Sequence, residues 1–134
     1  MSIVPRSLRH TTPDASELIV LLPGAYMTPE AYVAAGSFSA VEASGQALDV
    51  VAVAFDLETL SAGQALPALQ QHILTPARGQ GYRRIWLGGI SLGGLLSLCH
   101  VADNPGCIDG LCLLAPYPGS RLTINAIDRA GGLD

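Results

Sequence analysis

A serine between two glycines is the residue in this sequence whose surroundings best suit nucleophilic chemistry. The segment Gly89-Ile90-Ser91-Leu92-Gly93 has the spacing G-x-S-x-G. Apolar residues 85–87 precede it and a longer apolar stretch follows it, which predicts a buried strand before the motif and a helix after it. On so tight a turn the serine hydroxyl projects clear of the backbone, and the strained conformation costs ~1–3 kcal/mol. The pattern predicts that Ser91 is a nucleophile.

The residues around the serine fit the same chemistry. Gly89 and Gly93 carry no Cβ, so the end of the strand and the first turn of the helix can approach closely. A helix that begins at the serine presents free N–H groups and the positive end of its dipole to a developing negative charge. The N–H of Leu92 is therefore the expected first donor of an oxyanion hole.

On these residues, the segment resembles the nucleophile elbow of the α/β-hydrolase superfamily, most of all its small bacterial esterase or lipase-like members. The alternative is a glycine-rich turn with an incidental serine. The resemblance implies a serine hydrolase that acts on a small-molecule carboxylic ester or thioester, without a metal or an organic cofactor. It does not distinguish esters from amides or lactones.

The resemblance also implies a second oxyanion donor, from the loop that follows an early central strand. Residues 17–22 form an apolar run closed by Pro23, which predicts a strand and then such a loop. The expected donor is the N–H of Ala25, or else that of Tyr26. Pro23 stands where the family often has a histidine, and an ordinary strand-to-helix turn is the alternative.

Three further residues are candidates for lining a pocket, since each follows a predicted strand at its carboxyl end. They are Met27, Asp56 and Tyr117. Acidic residues at that edge of a parallel sheet often face a ligand crevice. For Asp56 we nevertheless favour a loop or helix-capping role.

The alternation of predicted strands and helices indicates an α/β fold, a three-layer sandwich with a parallel sheet and right-handed crossovers. Residues 1–16 are expected to form an extended or frayed lead. The expected strands span 17–22, 48–55, 82–88 and 108–115, and the expected helices span 28–44 with a break near Gly36, 59–78 with a late start near Ala65, 92–102 and 122–130. Residues 1–134 would thus form one domain, a partial α/β-hydrolase fold.

The catalytic set is incomplete in this sequence. A serine hydrolase needs a histidine base and an acid, which in α/β-hydrolases follow the serine along the chain. After Ser91 the one histidine is His100, which on a helix would lie half a turn out of phase and ~13 Å along the axis. After the last predicted strand, the first acid is Asp128.

We therefore weigh three origins for the chain: a fragment of a longer hydrolase, which we favour, a natural half-domain, or a degenerate member. Its last strand would form an apolar edge open to a second copy or to a missing C-terminal half. The alternative function is a non-catalytic module that binds or pairs through this edge.

Composition excludes several other classes. The net charge is −4, and the seven basic residues are scattered arginines, which gives no nucleic-acid surface. The glycines do not fit G-x-G-x-x-G, and a chain without lysine has no P-loop. No apolar stretch reaches the ~18 residues of a membrane span, and no secretory leader is evident, which predicts a cytoplasmic protein. The three cysteines, Cys99, Cys107 and Cys112, lack metal or redox spacing and are expected to be buried free thiols.

Overall fold

The structure, a computed structural model, describes residues 4–116. Its centre is a five-stranded sheet of order β1-β3-β2-β4-β5. The strands β2 to β5 run parallel, and β2 pairs with both β3 and β4. Their bounds are Glu17–Leu22 for β2, Leu48–Val53 for β3, Arg84–Ser91 for β4 and Gly110–Pro116 for β5. The sheet confirms the predicted α/β class, and β4 extends three residues beyond its predicted end, as far as the serine.

The polar N-terminal segment contains an additional strand. Of the two alternatives expected, an extended or a frayed lead, the extended one is found, but as a paired strand that was not predicted: Ser7–His10 forms β1, which pairs antiparallel with β3 at the edge of the sheet. Exposed and half-buried residues alternate along it. An edge strand with one solvent-facing side does not need the apolar run that marks the inner strands.

One face of the sheet holds the main apolar core. Alternate residues of β2 point to this face because successive side chains of a strand lie on opposite sides. Residues from β3, β4 and the helices α4 (Ala65–Leu69) and α5 (Thr75–Gly79) complete it. Helix α6, Leu92–Asp103, follows the serine and packs Leu96 against the same core. The central buried members are Leu18, Val20, Leu22, Val51, Val53, Leu69, Leu74, Ile85 and Leu87.

The other face carries two short helices, so the described chain has the three predicted layers. Helix α1 spans Pro29–Ala34 and α2 spans Ser37–Ser44, with Gly36 between them in the left-handed region at φ 95°. The predicted break near Gly36 is therefore confirmed. Helix α2 contacts β1 through Phe38, whose ring centroid lies 5.6 Å from that of His10.

The segment between β3 and β4 is less regular than the single helix predicted for 59–78. It contains α3 (Leu57–Ser61), α4, a π-helical turn at Gln70–Leu74, and α5. The late start at Ala65 is confirmed. Proline at position 76 removes a backbone donor in the last turn, and a π-helical turn is a usual form of local adjustment within a helix.

The three cysteines are free, as expected, but the prediction that they are buried is wrong. Cys99 lies on the exposed side of α6, Cys107 lies in the turn after it, and Cys112 is exposed on β5. Apolar neighbours in sequence misled the prediction, since one side of a helix or of an edge strand still meets solvent. Within residues 4–116, β5 has a strand partner on one side only, β4. The helix predicted for 122–130 lies outside the described residues.

Candidate functional site

Ser91 lies where β4 passes directly into α6. It is half-buried, it forms the N-cap of the helix, and its backbone has φ 53° and ψ −116°. A non-glycine residue at positive φ is strained, and the surrounding packing must hold it there. The register of β4 against β5 shifts between Ile90 and Ser91, so the serine leaves the regular ladder at this point. The junction is the strand–turn–helix arrangement that the G-x-S-x-G spacing predicts.

The two glycines of the motif allow a very close approach to the end of β2. A Cβ built on Gly89 would lie 2.6 Å from the carbonyl oxygen of Leu22, and one built on Gly93 would lie closer still. Real Cβ atoms do not approach a carbonyl oxygen so closely. Both positions therefore require glycine for steric reasons, as the sequence predicts.

The loop after β2 forms a tight turn beside this junction. The N–H of Met27 donates to the carbonyl of Gly24 at 3.1 Å, and Tyr26 inside the turn has φ 60°. Gly24 lies against Ile90: a Cβ built there would meet the Ile90 carbonyl oxygen at 3.4 Å. Among the described residues, none accepts a hydrogen bond from the N–H of Ala25 or Tyr26. The turn and the helix start thus bring free backbone donors next to the serine segment.

Strain concentrates in these two segments. Within residues 4–116, three non-glycine residues have positive φ: Asp14, Tyr26 and Ser91. Two of the three belong to the loop and the junction that the sequence marks as functional. Sparsely populated backbone conformations persist only where the surrounding structure holds them, and they cluster at active sites.

A buried tyrosine, for which no sequence pattern predicts a role, joins the two segments. Tyr32 of α1 is 5% exposed; its hydroxyl donates to the carbonyl of Leu22 at 2.5 Å and accepts from the N–H of Ile90 at 3.0 Å. Burial raises the pKa of this phenol, so it stays protonated at neutral pH. A buried tyrosine usually finds a hydrogen-bond partner, but nothing in the sequence indicates backbone groups 10 and 58 residues away.

A cavity of about 470 Å³ opens at the carboxyl ends of β2 and β3, next to the turn. Met27 and Asp56 both line it, as does Tyr26, whereas Ser91 is not among its lining residues. Much of the remaining wall is apolar, including Phe55 and Leu60. Tyr117 lies outside the described residues.

Asp56 also caps α3, which confirms the predicted helix-capping role. Its Oδ1 accepts from the N–H of Thr59 at 2.7 Å. Hydrogen bonding from Thr59 holds the pKa of the carboxyl below its ordinary value. At neutral pH the cavity rim therefore carries a carboxylate.

No histidine of the described chain is placed to serve Ser91. His100 is fully buried on α6, where its Nε2 lies 2.9 Å from Oε1 of Gln70. Burial lowers the pKa of this imidazole, and its Nδ1 has no partner within residues 4–116. His10 stacks near Phe38, and His72 belongs to the π-helical turn. The described residues thus place a strained serine beside free backbone N–H groups, and among them no histidine side chain contacts this serine.

Comparison with known proteins supports the fold. No protein-family model and no curated protein matches the chain. Among solved structures, a predicted CIB-like hydrolase from Thermoplasma acidophilum aligns with a TM-score of 0.62 and 20% identity, over 84% of this chain and 58% of that one. An α/β hydrolase enzyme from a sediment metagenome of the lagoon of Mar Chica, Morocco, aligns with a TM-score of 0.62 and 14% identity, over 97% of this chain and 57% of that one.

The chain therefore has the α/β-hydrolase fold, as its resemblance predicted, and it spans less than two thirds of either solved structure. Within the described residues, no helix is long and apolar enough to cross a membrane.

Proposed function

We propose that this chain carries the nucleophile half of a serine hydrolase that acts on a carboxylic ester or thioester. One observation carries the proposal: Ser91 occupies the N-cap of α6 with its backbone at φ 53° and ψ −116°. The sheet, the glycine contacts and the strained turn at Tyr26 all meet at this junction. An incidental serine in a glycine-rich turn would not need a conformation that serine disfavours.

The reaction that this arrangement favours is acyl transfer. The hydroxyl oxygen of Ser91 attacks the carbonyl carbon, and the carbonyl oxygen gains negative charge. The N–H of Leu92, at the positive end of α6, and the N–H of Ala25 stabilise that charge, with Tyr26 as the alternative second donor. The alcohol or thiol leaves with the proton taken from Ser91, and water then hydrolyses the acyl-enzyme.

The proton has to pass through a base. A serine hydroxyl is a weak nucleophile without one. In the proposal this base is a histidine that is not among residues 1–134. It could belong to a longer form of this protein or to another chain.

The cavity beside the turn suits an uncharged, apolar part of the substrate. Its volume of about 470 Å³ is within the usual range for small-molecule sites, and Phe55 and Leu60 contribute apolar wall. Arg6, which also lines it, is held by Glu30 in a two-pronged ion pair at 2.5 and 2.8 Å. Asp56 disfavours an anionic group at the rim.

Covalent capture tests the proposal. The protein is treated with a fluorophosphonate in the presence of imidazole, which supplies a base in place of the missing histidine, and its intact mass is measured before and after. We expect one adduct per chain, located at Ser91 by peptide mapping and absent from Ser91→Ala. A serine away from the junction is the matched control: Ser61→Ala should label like the wild type. An unlabelled wild-type chain would refute an activated Ser91 in these 134 residues.

A second candidate function is favoured by the outer strand. On β5, Leu114 is 60% exposed and Cys112 is also exposed, and among the described residues no strand pairs with the outer edge. We propose, as the alternative, a non-catalytic module that pairs with a second chain through this edge. An open apolar strand edge is a template for such pairing.

Sedimentation velocity tests this alternative. Pairing through β5 predicts a self-associated wild-type chain and a monomeric Leu114→Lys, because charge on an edge strand opposes pairing. Leu57 is similarly exposed but lies on α3, so Leu57→Lys should leave association unchanged. A monomeric wild type at micromolar concentration would refute pairing between copies.

A further inference from the structure

The hydroxyl of Tyr32 is a link between the two segments of the candidate site. It joins the last residue of β2, which leads into the donor turn, to the residue directly before Ser91. We propose that Tyr32 is a positioning residue that holds the turn at 24–27 and the serine junction in register. This inference rests on the proposed function and adds to it a residue that touches neither substrate nor reacting atoms.

The link is needed because the two strands end at different places. The register of β2 on β4 ends at Leu22 opposite Gly89, and Pro23 then turns the chain away. Strand β4 continues to Ser91, so the N–H of Ile90 lies beyond the last residue of β2 that pairs with β4. The tyrosine hydroxyl accepts from this N–H and donates to the Leu22 carbonyl, so that one side-chain group serves both strands.

A hydroxyl is suited to this position and a phenyl ring is not. A hydroxyl both donates and accepts, whereas phenylalanine would leave two polar backbone groups without that partner. Tyr32 is 5% exposed, so water has little access to replace it. Burial also keeps the phenol protonated, which preserves its donor role.

The surrounding contacts restrict movement of β2 relative to the serine junction. Gly89 and Gly93 press against the same Leu22 carbonyl that Tyr32 binds, and Gly24 lies against the Ile90 carbonyl. A shift of β2 relative to the junction would therefore move the donors of the turn relative to Ser91. Displacements of about 1 Å can cost about a hundredfold in rate when reacting groups must be aligned.

Tyr32→Phe tests the link, with Tyr82→Phe as the matched control. The Tyr82 hydroxyl likewise bridges two groups, donating to Asp49 and accepting from Arg9 at 2.8 Å, but it precedes β4 at the opposite end from the serine. Both variants lose a hydrogen-bonded phenol, so both should lower the melting temperature. Only Tyr32→Phe should affect the junction.

The first readout is amide hydrogen exchange by NMR, which does not depend on reactivity. In Tyr32→Phe we expect the Ile90 amide to exchange at least about tenfold faster and the amide shifts of Ala25 and Leu92 to move together. Tyr82→Phe should leave these amides unchanged. Unchanged protection of Ile90 in a folded Tyr32→Phe protein would overturn the inference.

The second readout is the rate of fluorophosphonate capture at Ser91, at a temperature where all variants are folded by near-ultraviolet circular dichroism. We expect about a tenfold loss in Tyr32→Phe and less than about a twofold change in Tyr82→Phe. Equal capture rates for Tyr32→Phe and the wild type would overturn the positioning role. If Tyr32→Phe does not fold, Tyr32→4-fluorophenylalanine, which fills the space of the hydroxyl but donates no hydrogen bond, should show the same losses, and wild-type exchange and capture in it would likewise overturn the role.

The two proposals can fail separately. A wild-type chain that is not captured would refute the proposed function, and the exchange data would then decide the link alone. In that case, faster exchange at Ile90 with coupled shifts at Ala25 would support the link, and their absence would reject it.

Discussion

The carbonyl oxygen of Leu22 lies against the Cα of Gly93, so closely that any side chain at position 93 would overlap it. This contact joins the end of β2 to the first turn of α6, two residues after Ser91. It explains in steric terms why the second glycine of the motif stands where it does. It also makes the junction sensitive to the addition of one methyl group.

Gly93→Ala is therefore expected to destabilise the fold strongly. The added Cβ meets backbone atoms of residues 22 and 23, which cannot move aside as a flexible side chain would. We expect a loss of ~2 kcal/mol or more in the free energy of unfolding, the range for overpacking at a rigid site. Urea titration measures it.

Gly79→Ala is the matched control for that variant. Gly79 ends α5 without positive φ, and nothing lies within 4 Å of a Cβ built on it. This change should be neutral or stabilising by up to ~1 kcal/mol, since alanine favours helices over glycine. Equal losses in the two variants would contradict the steric account of Gly93.

Tyr26→Gly should stabilise the protein. Glycine adopts the φ of 60° without steric cost, and the side chain that it removes is 86% exposed, so little packing is lost. We expect a gain of ~1 kcal/mol in the free energy of unfolding. Ala25→Gly, one residue earlier and without positive φ, should instead lower it slightly. A destabilised Tyr26→Gly protein would show that the tyrosine makes contacts worth more than the strain.

The strain at Ser91 predicts a difference in stability between two variants that lack the proposed nucleophile. Ser91→Gly relieves the positive φ, whereas Ser91→Ala retains it, and both remove the hydroxyl. In thermal unfolding, the free energy of unfolding of Ser91→Gly should therefore exceed that of Ser91→Ala by ~1–2 kcal/mol. Neither variant should form a fluorophosphonate adduct. Equal stabilities would indicate that the backbone relaxes out of this conformation once the hydroxyl is absent.

His100 predicts a loss of stability in mild acid. Burial lowers the pKa of this imidazole in the folded state, so the unfolded chain binds the proton more readily. Its contribution is fully present above the ordinary histidine pKa of about 6.5 and is lost as pH falls below that value toward the folded pKa. Asp103 opposes the shift only in part.

His100→Gln should flatten the dependence of the unfolding free energy on pH between about 7 and 5. The exposed acidic groups remain in this variant, so any residual slope measures their contribution to the pH dependence of the unfolding free energy. His10→Gln is the control, because the His10 ring lies against Phe38 outside the main core. An unchanged slope in His100→Gln would mean that the pKa of the imidazole is the same in the folded and unfolded states.

Several parts of the fold followed from local sequence signals. The run at 17–22 gave β2 with its bounds, and Gly36 and Gly45 marked the break and the end of the paired helices. The turn at Ser91 between strand and helix was predicted because its steric demands are met by five consecutive residues. Such features depend on neighbours in the chain, and a sequence pattern reports neighbours.

The features that escaped prediction depend on residues far apart in the chain. Strand β1 lacks an apolar signal and exists because β3 offers it an edge. The link from Tyr32 to Ile90 spans 58 residues, and the bond from Tyr82 to the buried Asp49 spans 33. The exposure of Cys112 similarly depends on which elements cover β5, which its apolar neighbours do not reveal.

The order of the strands has a consequence for synthesis on the ribosome. The centre of the sheet joins β2 to β4, with Glu17 opposite Arg84, so the central pairing waits until most of the described chain has emerged. Strand β1 must likewise wait for β3. Non-local pairing of this kind slows folding and leaves apolar strands open in the interval. The nascent chain therefore passes through a stage in which the apolar strand β2 lacks the partner that the serine-bearing strand β4 later provides.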